Sequence, residues 1–146
     1  MRVSRIAAGI AASVALVAPA VLIGGPASAT PHAPCVIGPE EDHCIYWGQS
    51  YSGSHSGVPE EVANFPVSGA TPYIYLAAGS GQGERIGNNN GSDQNLDTTC
   101  EVTLWYDPNF AGPSVTLTSY PLSGHQRAGS QLGTLLNNIR SQDWAC

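Results

Sequence analysis

Lysine is absent from this sequence, and arginine is scarce. Arg2 and Arg5 lie in the first few residues, which leaves Arg85, Arg127 and Arg140 as the basic side chains of the remaining chain. Eleven acidic side chains against these three give that remainder a formal charge of −8. A chain with so few cations cannot neutralise a row of phosphates, which argues against nucleic acid and an anionic membrane surface as partners.

A second long apolar run is also missing, and the first lies at the beginning. A short basic start is followed by an apolar run over residues 6–23 and by the small residues Ala27-Ser28-Ala29. This order is typical of a cleaved secretory signal. An uncleaved membrane anchor is the alternative, because the run is about long enough to span a bilayer. Gly9 and Pro19 interrupt it, so we expect a signal peptide over residues 1–29 and a secreted, extracellular protein.

No cysteine is left over, and no Cys-x-x-Cys pair occurs. The four cysteines are Cys35, Cys44, Cys100 and Cys146. An even count in an exported chain indicates disulfides, with three possible connectivities. We favour Cys35–Cys44 and Cys100–Cys146, because each pair lies within one half of the chain, and loop entropy would then give about 2.7 and 4 kcal/mol of stabilisation. A zinc site is the alternative, and the missing Cys-x-x-Cys spacing argues against it.

A catalytic constellation is missing too. His32, His43, His55 and His125 are scattered without the H-x-x-x-H spacing of a metal site. No G-x-S-x-G nucleophile elbow occurs. The paired glutamates are neighbours in sequence, which does not place two carboxylates across a cleft. We therefore expect that the protein is not an enzyme and requires no cofactor.

A helical stripe is lacking after the apolar start, and short strands take its place. Strand candidates are residues 44–47, 73–77, 101–106 and 114–118, each rich in β-branched or aromatic residues and bounded by turn residues. Residues 131–138 could form one short helix or 3₁₀ turn. Many short strands with Gly- and Pro-rich turns predict an all-β sandwich or barrel.

The sequence does contain a weak internal repeat. Residues 45–53 and 104–112 share a pattern: an apolar residue, two aromatics, three turn residues, an aromatic, a small residue and a glycine. An Asn-Asn-x-x-Ser element follows each copy. The elements contain Asn88, Asn89 and Ser92, and Asn137, Asn138 and Ser141.

Each copy predicts a sharp corner between two strands. Gly53 and Gly112 would take a backbone angle closed to other residues, while the rings of Tyr51 and Phe110 pack across the fold. This arrangement resembles the Greek-key motif of the βγ-crystallins. The resemblance covers residues 44–146 and implies a β-sandwich of two four-stranded sheets, with a serine locking each folded hairpin.

Within that superfamily, the sequence is similar to small secreted bacterial peptidase inhibitors. The match rests on the signal peptide, an early cysteine pair ending in Cys44-Ile45-Tyr46, and the Gly-rich segment 79–83 that leads to the first Asn-Asn pair. The family's best-studied activity is non-covalent block of a thermolysin-like zinc protease. The resemblance therefore implies a metalloproteinase inhibitor with an extracellular protease as its partner. We also expect the chain to be a monomer.

One short cysteine-closed loop could carry that inhibition. It lies in an N-terminal segment over residues 30–43, whereas the family's own loop is closed by two cysteines in the second half. Val36 and Ile37 would suit an apolar protease pocket, and the acidic run 40–42 could approach the zinc. Disulfide closure makes such a loop rigid and lowers its ordering cost on binding. The alternative is a structural staple for the N-terminus.

Calcium binding is a second hypothesis. In microbial βγ-crystallins the Asn/Asp-rich stretch of one motif and the serine of the other supply oxygen ligands, which calcium prefers. The candidates here are Asn88, Asn89, Ser92, Asn137, Asn138 and Ser141. Asparagine is neutral, so we expect weak binding, in the range of about 10⁻⁴–10⁻³ M. The alternative is turn chemistry, because asparagine tolerates positive φ.

A carbohydrate-binding module is a further alternative. The aromatics Tyr46, Trp47, Trp105, Tyr106 and Trp144 could stack on sugar rings. Such residues more often fill the core of a β-sandwich or lie half-buried on it. The exposure of these rings would distinguish the two interpretations.

Overall fold

The structure is a computed structural model that describes residues 31–32, 34–39 and 42–146. The signal peptide predicted for residues 1–29 lies outside the described residues and stays a prediction. Residues 40–41 of the acidic run lie outside them as well. In the part of the chain that is described, no helix is long and apolar enough to cross a membrane.

Short antiparallel strands make up most of the regular structure. They are β1 (His43–Gly48), β2 (Ser52–Val58), β3 (Ser92–Asn95), β4 (Glu101–Asp107), β5 (Ala111–Leu117), β6 (Gln126–Ala128) and β7 (Ser141–Ala145). A 3₁₀ helix, Gly129–Leu135, lies between β6 and β7. The strands form a four-stranded sheet of order β2-β1-β3-β6 and a three-stranded sheet of order β5-β4-β7. The all-β prediction is confirmed, and the predicted 3₁₀ turn overlaps this helix.

Three of the four strand predictions are confirmed, by β1, β4 and β5. The prediction of a strand over residues 73–77 is wrong, because this stretch forms no ladder. Its backbone bonds go to different segments: the Tyr75 N–H donates to Glu84 O at 2.9 Å and the Ala77 N–H to His55 O at 3.0 Å. Only Ile74 forms a β-bridge there, to Arg85.

The two halves of the chain exchange a strand position. β6 of the second half pairs with β3 of the first, where Arg127 lies opposite Asp93. In return, Val62 of the first half exchanges two backbone hydrogen bonds with Gln142 of β7, each 2.9 Å long. The resemblance implied two four-stranded sheets, and this single bridge occupies the fourth position of the second sheet.

Both sheets bury apolar side chains in one core. The first sheet contributes Ile45 and Val58, and the second contributes Val102, Leu104 and Leu117, all with no exposed surface. Alternate side chains of a strand point to one face, which explains the spacing of Val102 and Leu104. The connecting segments complete the core with Val62, Phe65, Tyr75, Ile86, Leu132, Leu135 and Ile139.

Both disulfides favoured by the sequence are formed. Cys35–Cys44 joins residues nine apart, and Cys100–Cys146 joins residues 46 apart. Glu101 pairs with Ala145 in the sheet, so the second bridge closes the end of the β4–β7 ladder. Because no cysteine is free, the zinc alternative does not apply.

Candidate functional site

The loop after Cys35 presents two apolar side chains to solvent. Val36 is 41% exposed and Ile37 is 54% exposed. The disulfide attaches this loop to Cys44, a fully buried residue of β1. The loop therefore extends from a rigid strand, and its apolar side chains face outward instead of packing in the core.

Gly38 anchors the far side of the same loop. Its N–H donates to Leu96 O at 3.3 Å, and its carbonyl accepts the Thr98 N–H at 2.9 Å. These two bonds form a parallel bridge between Gly38 and Asp97. Val36 and Ile37 consequently lie between two fixed points, the disulfide and this bridge.

Asp42 braces the loop from inside. Its Oδ2 accepts the Val36 N–H at 2.7 Å and contacts His32 Nε2 at 3.0 Å. The carboxylate is fully buried against Gly57, where any side chain would collide with it. Burial raises the pKa of Asp42, and the Val36 N–H and His32 oppose that rise. Asp42 does not face outward as part of an exposed acidic run, contrary to our expectation for residues 40–42.

The first predicted corner is a folded hairpin locked by a serine. Tyr51 and Gly53 have φ of 55° and 75°, in the left-handed region. Ser92 Oγ accepts the Tyr51 N–H at 2.9 Å and donates to Gly48 O at 2.6 Å. A buried hydroxyl thus bonds both to a backbone N–H within the turn and to a backbone carbonyl before it.

The second corner repeats this geometry. Phe110 and Gly112 have φ of 59° and 80°. Ser141 Oγ accepts the Phe110 N–H at 3.0 Å and donates to Asp107 O at 2.7 Å. The serine bonds and the aromatic and glycine φ angles therefore correspond in the two corners, as the sequence repeat predicts, whereas the preceding residue differs, with φ of 154° at Ser50 and 59° at Asn109.

The two Asn-Asn elements contact each other. Asn88 and Asn137 both have left-handed φ, of 60° and 58°. The Asn137 N–H donates to Asn90 O at 2.9 Å, and the Asn88 N–H donates to Ile139 O at 3.2 Å. This is the turn chemistry of the alternative hypothesis.

Several oxygen atoms of the calcium candidates already accept hydrogen bonds. Asn89 O accepts from the Tyr75 hydroxyl at 3.0 Å, and both locking serines bond to backbone groups. A cleft of about 440 Å³ lies beside them, lined in part by Asn89 and Asn137. Calcium binding stays a prediction, which thermal unfolding in 10 mM calcium and in chelator would test.

A buried polar network was not predicted. His43 Nδ1 contacts Gln142 Oε1 at 2.7 Å, and its Nε2 lies 3.2 Å from Asp93 Oδ1. Asn90 Nδ2 donates to Asp93 Oδ2 at 2.8 Å. Asp93 and Gln142 directly follow the two locking serines. The sequence shows that correspondence, but the burial of His43 between them requires the fold.

The aromatic candidates for sugar binding are distributed over the molecule. Trp47 and Trp144 pack against the core, and Trp105 Nε1 donates to Asp143 Oδ1 at 2.8 Å. Tyr46 stacks on His55 with ring centroids 5.3 Å apart. Tyr106 is 38% exposed. These contacts favour the packing role over the carbohydrate alternative.

Metal-binding side chains do not cluster in the described ranges. No group of three or more His, Cys, Asp or Glu residues among them could hold a metal ion. That observation does not bear on the calcium hypothesis, whose candidates are asparagine and serine.

Two Greek-key halves, serine-locked corners and an exchanged strand position define a βγ-crystallin fold. A solved structure from work on the evolution of the eye lens beta-gamma-crystallin domain fold is similar, with a TM-score of 0.51 and 17% identity over 71% of this chain and 84% of that chain. The model of peptidase inhibitor family I36 matches residues 32–117. The chain belongs to this family and is a peptidase inhibitor, not an enzyme. None of the curated proteins matches it.

Proposed function

We propose that this protein inhibits an extracellular zinc metalloprotease of the thermolysin type by non-covalent binding. The inhibitory loop is residues 35–39, with Val36 and Ile37 entering apolar pockets of the protease. The observation that supports this loop is the combination of exposure and fixation: Ile37 is 54% exposed, yet the backbone on either side of it is bonded to the body of the protein.

Fixation lowers the entropy lost on binding. A loop that must be ordered by its partner loses affinity for each side chain and backbone angle that becomes fixed. Here the disulfide, the Gly38 bridge and the Asp42 brace fix the loop before binding. Exposed apolar area at the tip is then buried by the protease, which supplies the favourable free energy.

Secretion places this inhibitor outside the cell. Two disulfides and membership of an inhibitor family point to an extracellular protein. We propose that residues 1–29 are removed as a signal peptide and that the remaining chain acts as a monomer. N-terminal sequencing of the exported protein would test the cleavage site, and sedimentation would test the monomer.

The proposed role of the inhibitory loop can be tested with one charged substitution inside the loop and one matched control outside it. Ile37→Asp places a carboxylate where the protease pocket should be apolar, and Leu76→Asp does the same at an exposed leucine outside the loop. The unmodified protein should slow thermolysin at micromolar concentration, Leu76→Asp should equal it, and Ile37→Asp should lose the effect. The proposal fails if the unmodified protein does not slow thermolysin or if Ile37→Asp inhibits as well as the control.

A further inference from the structure

The two most exposed large apolar side chains of the described residues lie on different loops. Ile37 is 54% exposed on the inhibitory loop, and Leu122 is 57% exposed. Leu122 belongs to the segment 119–125, which connects β5 to β6 and which we call the second loop. The proposed inhibitory mechanism does not use it.

One backbone segment holds both loops. Gly38 bonds to Leu96 O and the Thr98 N–H, so the N–H and carbonyl of Asp97 point away from Gly38. On that opposite side, Asp97 O accepts the Tyr120 N–H at 2.7 Å. A single backbone hydrogen bond therefore joins Tyr120 to the residue that pairs with Gly38.

The shared segment is itself rigid. Asp97 Oδ1 accepts the Thr99 N–H at 2.6 Å and the Cys100 N–H at 2.7 Å. Cys100 is held in turn by the second disulfide. The separation between the two loops is therefore fixed by bonded groups on both sides of Asp97.

The second loop is also internally bonded. The Leu122 N–H donates to Ser119 O at 2.9 Å, and Leu122 O accepts from both the backbone N–H and the ring Nδ1 of His125, at 3.2 and 2.7 Å. The Thr118 hydroxyl donates to Ser123 O at 3.1 Å. Leu122 is thus held outward by its own backbone.

The size of a stable complex requires more than the inhibitory loop. A specific protein–protein interface buries about 800 Å² on each partner, from about 20–30 residues a side. Two exposed side chains on a five-residue loop cannot supply this area. An additional contact surface is therefore needed, and the second loop, which bonds to the same backbone segment as Gly38, offers an exposed apolar side chain.

We propose that the second loop is an additional contact for the inhibited protease, with Leu122 buried in the complex beside Ile37. This inference rests on the proposed inhibitory function, and it adds a site that the inhibitory loop does not contain. Its chemistry is an apolar knob, so the matching surface on the protease is an apolar depression next to its substrate cleft.

The test measures inhibition constants for thermolysin with three alanine variants. Leu122→Ala and Ile37→Ala should each raise the inhibition constant about tenfold, while Leu76→Ala should leave it unchanged. All three side chains are exposed, and equal melting temperatures would show that the fold is intact. The inference is overturned if Leu122→Ala matches Leu76→Ala.

The outcomes separate this inference from the proposed function. If Ile37→Ala weakens inhibition and Leu122→Ala does not, the inhibitory role of residues 35–39 is supported and the contact role of the second loop is overturned. If Ile37→Ala has no effect on inhibition, both proposed roles are overturned. A second copy of this chain is the competing occupant: if Leu122→Asp lowers the mass in sedimentation without changing inhibition, the second loop joins two copies and the inference is overturned.

Discussion

The two halves of the molecule share their corners and their Asn-Asn elements, and they differ in the stretch of chain that connects the two features. Ser92 and Ser141 lock the two hairpins with the same pair of hydrogen bonds. Each serine accepts the backbone N–H of the corner's aromatic residue and donates to a backbone carbonyl before the turn. Between β2 and β3, residues 59–91 contain isolated bridges but no strand of a ladder. The corresponding stretch of the second half contains β6 and the 3₁₀ helix.

This difference shows which part of a Greek-key half is specified locally. The corner needs a glycine at positive φ, an aromatic ring and a buried hydroxyl, and each copy supplies all three. The connecting stretch needs only to cover the core, which apolar residues can do from irregular backbone. Phe65 and Tyr75 do so in the first half, and Leu132 and Leu135 in the second.

The two disulfides offer the largest expected contrast between the halves. The double variant Cys100→Ser/Cys146→Ser should lower the free energy of unfolding by about 4 kcal/mol, and Cys35→Ser/Cys44→Ser by about 2.7 kcal/mol, because the longer closed loop restricts the unfolded chain more. Urea denaturation would measure both values. The reverse order would contradict this dependence on loop length.

The locking serines should be equivalent. Ser92→Ala and Ser141→Ala each remove a buried hydroxyl that bonds to a backbone N–H and to a backbone carbonyl, so each should cost about 2 kcal/mol. Ser114→Ala, at an exposed position of β5, is the matched control and should change stability by less than about 0.5 kcal/mol. A large inequality between Ser92→Ala and Ser141→Ala would show that the corners are not energetically equivalent.

The corner glycines should be unequal despite similar φ. Alanine at either position should lower the free energy of unfolding by about 1 kcal/mol, because the backbone there is left-handed. At Gly53 a Cβ would also lie 2.9 Å from the backbone oxygen of Ser80, whereas at Gly112 it would meet the movable carboxylate of Asp107. We expect Gly53→Ala to cost about 2 kcal/mol and Gly112→Ala about 1 kcal/mol, measured by urea denaturation. Equal costs would mean that the Ser80 segment moves aside freely.

The smallest expected effect on stability is that of Asp42, which braces the inhibitory loop in the first half. The second half has no counterpart to this brace. Burial raises the pKa of Asp42 above its usual value of 3.8. The Asp42 carboxyl group therefore binds its proton more tightly in the folded state than in the unfolded state. The stability that this protonation contributes is present below pH 3.8 and is lost as the pH rises through the folded-state pKa. Asp42→Asn remains neutral, so its stability relative to the unmodified protein should increase over that rise. A constant difference from acid to neutral pH would contradict the raised pKa.

Sequence patterns predicted the parts that local chemistry specifies. The aromatic-x-Gly spacing located both corners, and β-branched and aromatic residues located β1, β4 and β5. β2 and β3 were missed because their residues, Ser-Gly-Ser-His-Ser-Gly-Val and Ser-Asp-Gln-Asn, are small or polar. Their strand conformation comes from pairing with β1 on both of its sides, which is a tertiary effect.

The candidate site likewise has features that local sequence predicts and features that only the tertiary fold provides. Cysteine spacing indicated the disulfide-closed loop that we propose as inhibitory, and its apolar residues are plain in the sequence. The Gly38 bridge, the Asp42 brace and the link of the second loop to Asp97 depend on contacts with distant residues, such as the pairing of Gly38 with Asp97. Such contacts follow from the register of the fold, which no local pattern contains.

Inhibition of thermolysin by the two disulfide variants, at a temperature where both remain folded, tests the role of the inhibitory loop most directly. We predict that Cys35→Ser/Cys44→Ser raises the inhibition constant about tenfold or more, because the loop loses one of its fixed ends. Cys100→Ser/Cys146→Ser should inhibit like the unmodified protein despite its larger loss of stability. Full inhibition by the first variant, or a loss confined to the second, would contradict the assignment of inhibition to residues 35–39.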